Sequence, residues 1–220
     1  MLEIAIDGTS ASGKGTLAKK LSEKYCIPHL DTGLMYRKVA IEIVIKHGNN
    51  VKNLFEESCN IAKLLDFKKL DEEDLRTENI AKIASEIAVY PPLREILNLK
   101  QLEFIDISNK QFGGCVIDGR DIGTKILPKA NFKFFIDASI DVRAKRRLLE
   151  KNISFLHGND EKCMLQTLTE KMVERDNIDR SRTDSPMVPA KNAYVIDTTS
   201  MNADQLLSIA TKLIEGNLYT

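Results

Sequence analysis

The sequence has no excess charge of either sign: 32 Lys and Arg balance 32 Asp and Glu over 220 residues. That balance excludes a strong overall field drawing the chain to nucleic acid or an anionic membrane. Any phosphate binding must then come from local clusters. No apolar run approaches the ~18 residues a membrane span needs. Met1-Leu2-Glu3-Ile4 also lacks the basic stretch that opens a signal peptide. The four cysteines, Cys26, Cys59, Cys115 and Cys163, form no CxxC pair, and the three histidines, His29, His47 and His157, are equally dispersed. A zinc site is therefore not expected, nor any other metal centre built from protein ligands. Cys26, Cys115 and Cys163 have apolar neighbours and are expected to be buried thiols of a reducing, cytoplasmic compartment. Internal repeats, low-complexity tracts and long charge blocks are all missing.

What is present is a rhythm of short apolar runs. Leu2 to Ile6 ends at Asp7-Gly8 and predicts a first buried strand. Gly114 to Asp118, Phe132 to Asp137 and Ala193 to Asp197 predict three more, with a shorter run at Ile27 to Leu30. A helix is expected from Lys14 to about Tyr25, with Leu17, Ala18 and Leu21 on one face, and a closing amphipathic helix from about Asn202 to Glu215. Strand and helix alternate, so the expected class is α/β: a parallel sheet flanked by helices on both faces. Between Gly33 and Lys110 the pattern is almost wholly helical, with Pro91-Pro92 suited to a helix's first turn. That stretch reads as an inserted substrate-side region, and Lys151 to Arg182 as a second, polar insertion. The length suits one domain.

Gly8-Thr9-Ser10-Ala11-Ser12-Gly13-Lys14-Gly15-Thr16 fits the G-x-x-x-x-G-K pattern of a phosphate-binding loop. Glycines at both ends let the backbone wrap an anion. Successive N–H groups and the following helix N-terminus point at it, and a lysine reaches its outer oxygens. Gly15 stands where the pattern usually has Ser or Thr, and Thr16 comes one place later. A Mg²⁺ ion would then be held mainly by phosphates and water, with help from Thr16 or Asp118.

Three further segments each place arginine beside small or acidic residues: Asp31-Thr32-Gly33-Leu34-Met35-Tyr36-Arg37, Gly119-Arg120-Asp121, and Glu174 to Arg182. The first two follow expected strands at their C-terminal ends, the edge where open α/β sheets bind ligands. Taken singly, each could be a turn, a helix cap or a surface ion pair. Beside a phosphate loop they suit an acceptor carrying a phosphate and hydrogen-bonding groups.

Read together, these segments resemble the bacterial cytidylate kinases nearly end to end. The resemblance rests on IDGTSASGKGT at 6–16, LDTGLMYR at 30–37, IASEIAVYPPLRE at 83–95, DGRDIGTKILPKA at 118–130, and ERDNIDRSR with DSPMVPA at 174–190. It implies a P-loop kinase fold with a core of about 1–32, 111–150 and 190–220. It also implies a helical insertion for the nucleoside monophosphate at about 33–110 and a lid at about 151–182. The implied reaction is transfer of the γ-phosphoryl group of ATP, with Mg²⁺, to CMP and dCMP. By that resemblance Lys14 and the loop hold ATP, Arg143, Arg146 and Arg147 belong to the lid over it, and Arg37, Arg120 and Arg182 clamp the acceptor phosphate. Thr32, Arg175 and Asp179 take the ribose side, Tyr36 joins the acceptor site, and Ser85, Arg94 and Asp121 read the pyrimidine; Lys14, Arg120 and Arg182 carry catalysis. Cytosine offers an amino donor where uracil offers an oxygen, so a carboxylate at Asp121 disfavours UMP.

The sequence departs from the family in two places. The stretch around Leu64 to Arg76 is short where many relatives carry extra strands, and Ile178 stands where some have a basic residue. The alternatives are a P-loop kinase for another small acceptor, such as UMP or AMP, and a nucleotide-binding switch. No N-K-x-D guanine-reading motif supports the switch. A monomer is expected, with small nucleotides as the only partners.

Overall fold

The computed structural model describes residues 1–48, 53–64, 66, 77–150 and 159–218. Its centre is a five-stranded sheet with strand order β2-β3-β1-β4-β5, all neighbours parallel. The strands are β1 (Leu2–Gly8), β2 (His29–Asp31), β3 (Gly114–Gly119), β4 (Phe132–Asp137) and β5 (Tyr194–Asp197). The apolar runs read from the sequence are thus strands, and the α/β expectation holds. Alternation along the strands divides the core in two. Ile4 and Ile6 of β1, Val116 of β3 and Phe134 and Ile136 of β4 face α1 (Lys14–Tyr25) and α8 (Ala203–Leu218), meeting Leu17, Leu21, Leu206 and Ile214. Ala5, Cys115 and Ile117 point to the other face. There they pack under α2 (Thr32–His47), α3 (Leu54–Leu64), α4 (Glu78–Ile87) and α5 (Pro91–Phe112), through Met35, Ile43, Leu93 and Leu97 among others. Residues with period two on a strand serve two helical layers at once, which is why the strands read as continuous apolar runs.

Local chemistry sets the helix ends that matter for the site. Asp31 caps α2, its Oδ1 accepting from the N–H of Gly33 at 2.9 Å and of Leu34 at 3.3 Å. Pro91 and Pro92 open α5, where a missing N–H costs nothing. After β3 the chain makes one π-helical turn, Ile122–Ile126, in which the Leu127 N–H donates to the Ile122 carbonyl at 2.7 Å. Past β4 come α6 (Ile140–Glu150) and α7 (Asn159–Ser181), which pack on each other.

The cysteine expectation needs correction. Cys115 and also Cys59 are buried, but Cys26 and Cys163 are exposed. Cys26 ends α1 in a left-handed conformation (φ 53°), outside the helix's apolar face, and Cys163 lies on an open side of α7. Sequence neighbours were a poor guide because a helix turns adjacent residues to different sides. The stretch expected to be short, Leu64 to Arg76, falls mostly outside the described residues. No helix among the described residues is long and apolar enough to cross a membrane.

Candidate active site

A cleft of about 450 Å³ opens at the C-terminal edge of the sheet, where β1, β2 and β3 end. Its floor is the loop between β1 and α1. Gly8 has φ 145°, and a Cβ there would lie 1.9 Å from the Ile136 carbonyl oxygen, so β1 can pass β4 only with glycine. Gly13 (φ 97°) and Ala11 (φ 57°) also have positive φ, the kind of backbone that can turn successive N–H groups toward an anion. Thr9 and Ser12 are buried behind the loop and hold its shape. The Thr9 hydroxyl donates to Asp137 Oδ1 at 2.7 Å and the Ser12 hydroxyl to the Thr9 carbonyl at 2.9 Å. No side chain caps α1 and no acidic residue occupies its first turn, so its N-terminal N–H groups and partial positive charge face the cleft. Ser10, Ala11, Gly13, Lys14, Gly15 and Thr16 line it.

Burial pushes the Lys14 pKa down to about 8, with Arg120 adding repulsion. A half-buried cation beside an uncapped helix is suited to a polyphosphate.

The opposite wall carries cations gathered around one carboxylate. Arg120 Nε donates to Asp179 Oδ2 at 2.9 Å, and Arg182 donates to Asp179 Oδ1. Burial pushes the Asp179 carboxyl up, but Arg120, Arg182 and Arg175 outweigh it and hold the pKa below the usual value. Among the described residues Arg175 has no such partner: burial and Arg120 lower its pKa to about 10, and its buried Nε, like that of Arg182, has no hydrogen-bond partner. Two guanidiniums bond one carboxylate and a third stands near it unbonded. The surplus of positive charge and unpaired donors fits a phosphate. Arg37 also lines this wall.

Also in the cleft, Arg94 and Asp121 form a buried pair, NH2 to Oδ2 at 2.6 Å, with Arg94 NH1 also donating to the Ala88 carbonyl at 3.2 Å. Ser85 lines the cleft beside them. Tyr36 does too, and burial pushes its hydroxyl up to about 12, so it stays a neutral donor. Thr32 is fixed by donating to the Asp118 carbonyl at 2.9 Å.

Of the residues singled out in the sequence for nucleotide binding, Gly8, Thr9, Ser12, Arg143 and Arg146 do not line the cleft. Arg143 is buried, with Nε donating to the Ala138 carbonyl at 2.9 Å and NH1 2.7 Å from Asp176 Oδ2. It ties the exit of β4 to α7. Arg146 donates to the Thr198 carbonyl at 2.7 Å and the Met201 carbonyl at 3.0 Å, while the Thr198 hydroxyl braces the Ser12 carbonyl at 2.8 Å. Arg147 alone of the three faces the cleft. An arginine-rich helix face shows its charge in the sequence but not which arginine turns inward.

His29, which drew no notice in the sequence beyond its isolation, lines the cleft with Nε2 2.6 Å from Asp118 Oδ1. Its place two residues before Asp31, at the end of β2, was the available signal. Asp118 keeps Oδ2 toward Gly15: a Cβ on that glycine would be 3.9 Å away. Among the described residues no group of three or more His, Cys, Asp or Glu forms a metal cage.

The comparisons with known proteins agree with this geometry. A family model described as Cytidylate kinase matches residues 4–216. The chain is 41% identical over 211 residues to the cytidylate kinase of Acidiphilium cryptum (strain JF-5), covering 96% of this chain and 94% of that one. It is 40% identical over 213 residues to that of Methylocella silvestris, covering 97% and 94%. In fold it is similar to a solved structure from Eubacterium ventriosum ATCC 27560, with TM-score 0.53 and 17% identity, covering 98% of this chain and 99% of that one. With a phosphate loop, an arginine-rich wall and a buried Arg–Asp pair lining one cleft, and sequence similarity over nearly the full length, the chain belongs to the cytidylate kinase family.

Proposed function

We propose that this protein transfers the γ-phosphoryl group of ATP to CMP and dCMP, giving ADP and the cytidine diphosphates. The observation that carries the choice of acceptor is the buried Arg94–Asp121 pair, which lines the same cleft as Lys14. Its carboxylate can accept from the cytosine amino group, and its guanidinium can donate to a ring oxygen or nitrogen. Uracil would bring an oxygen against the carboxylate and leave both unpaired.

In this reading the loop and Lys14 hold the ATP phosphates, with Arg147 across the cleft. Arg37, Arg120 and Arg182 hold the acceptor phosphate, and Thr32, Tyr36, Arg175 and Asp179 the ribose side. Asp179 now occupies the arginines. An incoming phosphate would take over their donors and free the carboxylate to accept from a sugar hydroxyl. The acceptor phosphate is a dianion and needs no side-chain base; an oxygen of it attacks the γ-phosphorus in line while the bond to the ADP oxygen breaks. The work left to Lys14, Arg120 and Arg182 is positioning and neutralising charge on the transferring group. Mg²⁺, when bound, supplies further charge neutralisation, with Asp118 and Thr16 the residues suited to its water shell. Residues of about 33–110 form the acceptor-side insertion and about 151–182 the lid, whose closure excludes water.

The test is ADP release from Mg·ATP with CMP, dCMP, UMP, AMP or no acceptor. Strong turnover with CMP and dCMP, feeble turnover with UMP and almost none without acceptor is the expected result. Equal rates in every tube would point to an ATPase or switch and overturn the reading, and preference for UMP or AMP would reassign the acceptor.

A further inference from the structure

Asp7 is buried, 2% exposed, and belongs to none of the roles above. It stands at the end of the β1–β3 ladder, paired in register with Gly119, immediately before Gly8 of the phosphate loop. Beyond this pair the strands have no further ladder bonds, and the side chain takes over. Asp7 Oδ1 accepts from the Ile122 N–H at 2.8 Å and Oδ2 from the Gly123 N–H at 2.8 Å. These are the two residues after Asp121, the opening of the π-helical turn. Two consecutive N–H groups need two acceptors in one plane. A carboxylate offers them; an amide of the same shape offers one acceptor and sets its NH₂ against the second N–H.

We propose that Asp7 is a positioning residue for acceptor recognition: its two bonds set the turn that aims Asp121 at the base, and so register the acceptor reader on the strand that carries the ATP loop. This inference rests on the proposed function. The backbone of Asp7 is held by β3 and β4 on either side whatever its side chain does. Loss of the carboxylate should therefore disturb the turn rather than the ATP loop. Gly123 fits the same design, since a Cβ there would lie 3.1 Å from Ala190 Cβ and 3.4 Å from Asp7 Oδ2.

The carboxyl also titrates in a useful range. Burial raises its pKa to about 7; the two backbone bonds and Arg120 oppose this, and Asp121 adds to it. Lys133 of β4 borders Gly123 as well, with its ammonium turned to the Pro128 carbonyl. Below about pH 7 a proton on Asp7 removes one acceptor, and the turn loosens.

Asp7→Asn should raise the KM for CMP about tenfold, leave the KM for ATP within about twofold, and lower the CMP-to-UMP ratio of kcat/KM. The native enzyme supplies a second measurement that needs no variant. CMP and UMP carry the same phosphate, so in their ratio its titration cancels. That ratio should rise between about pH 6 and about pH 8 as Asp7 ionises, and in the folded variant it should stay low and flat. A ratio that is flat in the native enzyme overturns the proposal, as does a variant whose ratio still rises with pH or whose KM for ATP moves as much as that for CMP. If Asp7→Asn does not fold, the native profile decides. A native protein inactive on CMP would instead overturn the proposed function itself.

Discussion

Lys14 is half-buried at the cleft floor, and burial rather than any single neighbour is the main reason its pKa falls to about 8, with Arg120 lowering it further and Asp118 and Asp31 opposing. A bound polyphosphate would favour the ammonium and raise the pKa again, so ATP binding should take up a proton above that value. Below about pH 8 the free protein already carries the cation; above it, protonation must be drawn from solvent and affinity falls. ATP affinity measured by calorimetry should weaken roughly fivefold from about pH 8 to about pH 9. Lys14→Ala should abolish this dependence and cut turnover about 10²- to 10³-fold without lowering the melting temperature. A pH-independent affinity in the native protein would remove Lys14 from the donor site. The position of Lys14 was legible from the glycine pattern, but its lowered pKa was not, because desolvation depends on Arg120 and the wall that the fold brings over it.

At the scale of elements, the site is a set of strand ends and helix starts. β1 ends in a turn that only glycine can make, and α1 begins without a cap, leaving its N–H groups for a ligand. Gly8→Ala would place a methyl group inside contact distance of the Ile136 carbonyl at a backbone angle that side chains rarely adopt. The variant should lose more than ~3 kcal/mol of stability in urea unfolding, or fail to fold. A loss below ~1 kcal/mol would show that β1 and β4 can part at no great cost. By contrast, α6 shows how an element assigns duties the sequence does not reveal. Arg143, Arg146 and Arg147 fall within one and a half turns. One braces β4 against α7, one braces the loop through Thr198 and the Met201 carbonyl, and one faces the cleft. Three and four residues apart, Arg146 and Arg147 share roughly one helix face with Arg143, so their different duties come from what the fold sets against each.

For the whole molecule, the cleft joins parts that are distant along the chain, from residues 10–16 through 32–37, 85–94 and 118–121 to 175–182. Ligands that touch several of these at once should couple them. CMP and the non-hydrolysable donor analogue AMP-PNP together should raise the melting temperature more than the sum of their separate effects, each ligand adding about 2.7 kcal/mol at a hundred times its Kd before coupling. Strict additivity would mean that the donor and acceptor sites do not communicate. The surplus of guanidiniums around Asp179 supplies a physical reason for coupling, since each bound phosphate relieves repulsion that the other also feels.

The order of strands and helices, the glycine-rich loop and the arginines that line the cleft were determined by the sequence alone. Each depends on local spacing: period two on a strand, glycine at a tight turn, arginine beside a strand's end. What the tertiary structure decided are the relations between segments. Asp7 reads as the end of an apolar run, and only the neighbouring β3 shows that its two oxygens hold the turn after Asp121. His29 gains a partner only because β2 lies beside β3 and brings Asp118 within reach. Cys26 and Cys163 face solvent, although their neighbours are apolar, because exposure follows the face of a helix rather than the composition around it. A carboxylate, an imidazole or a thiol has the same side chain wherever it lies; its partners and its proton affinity come from what the fold packs against it.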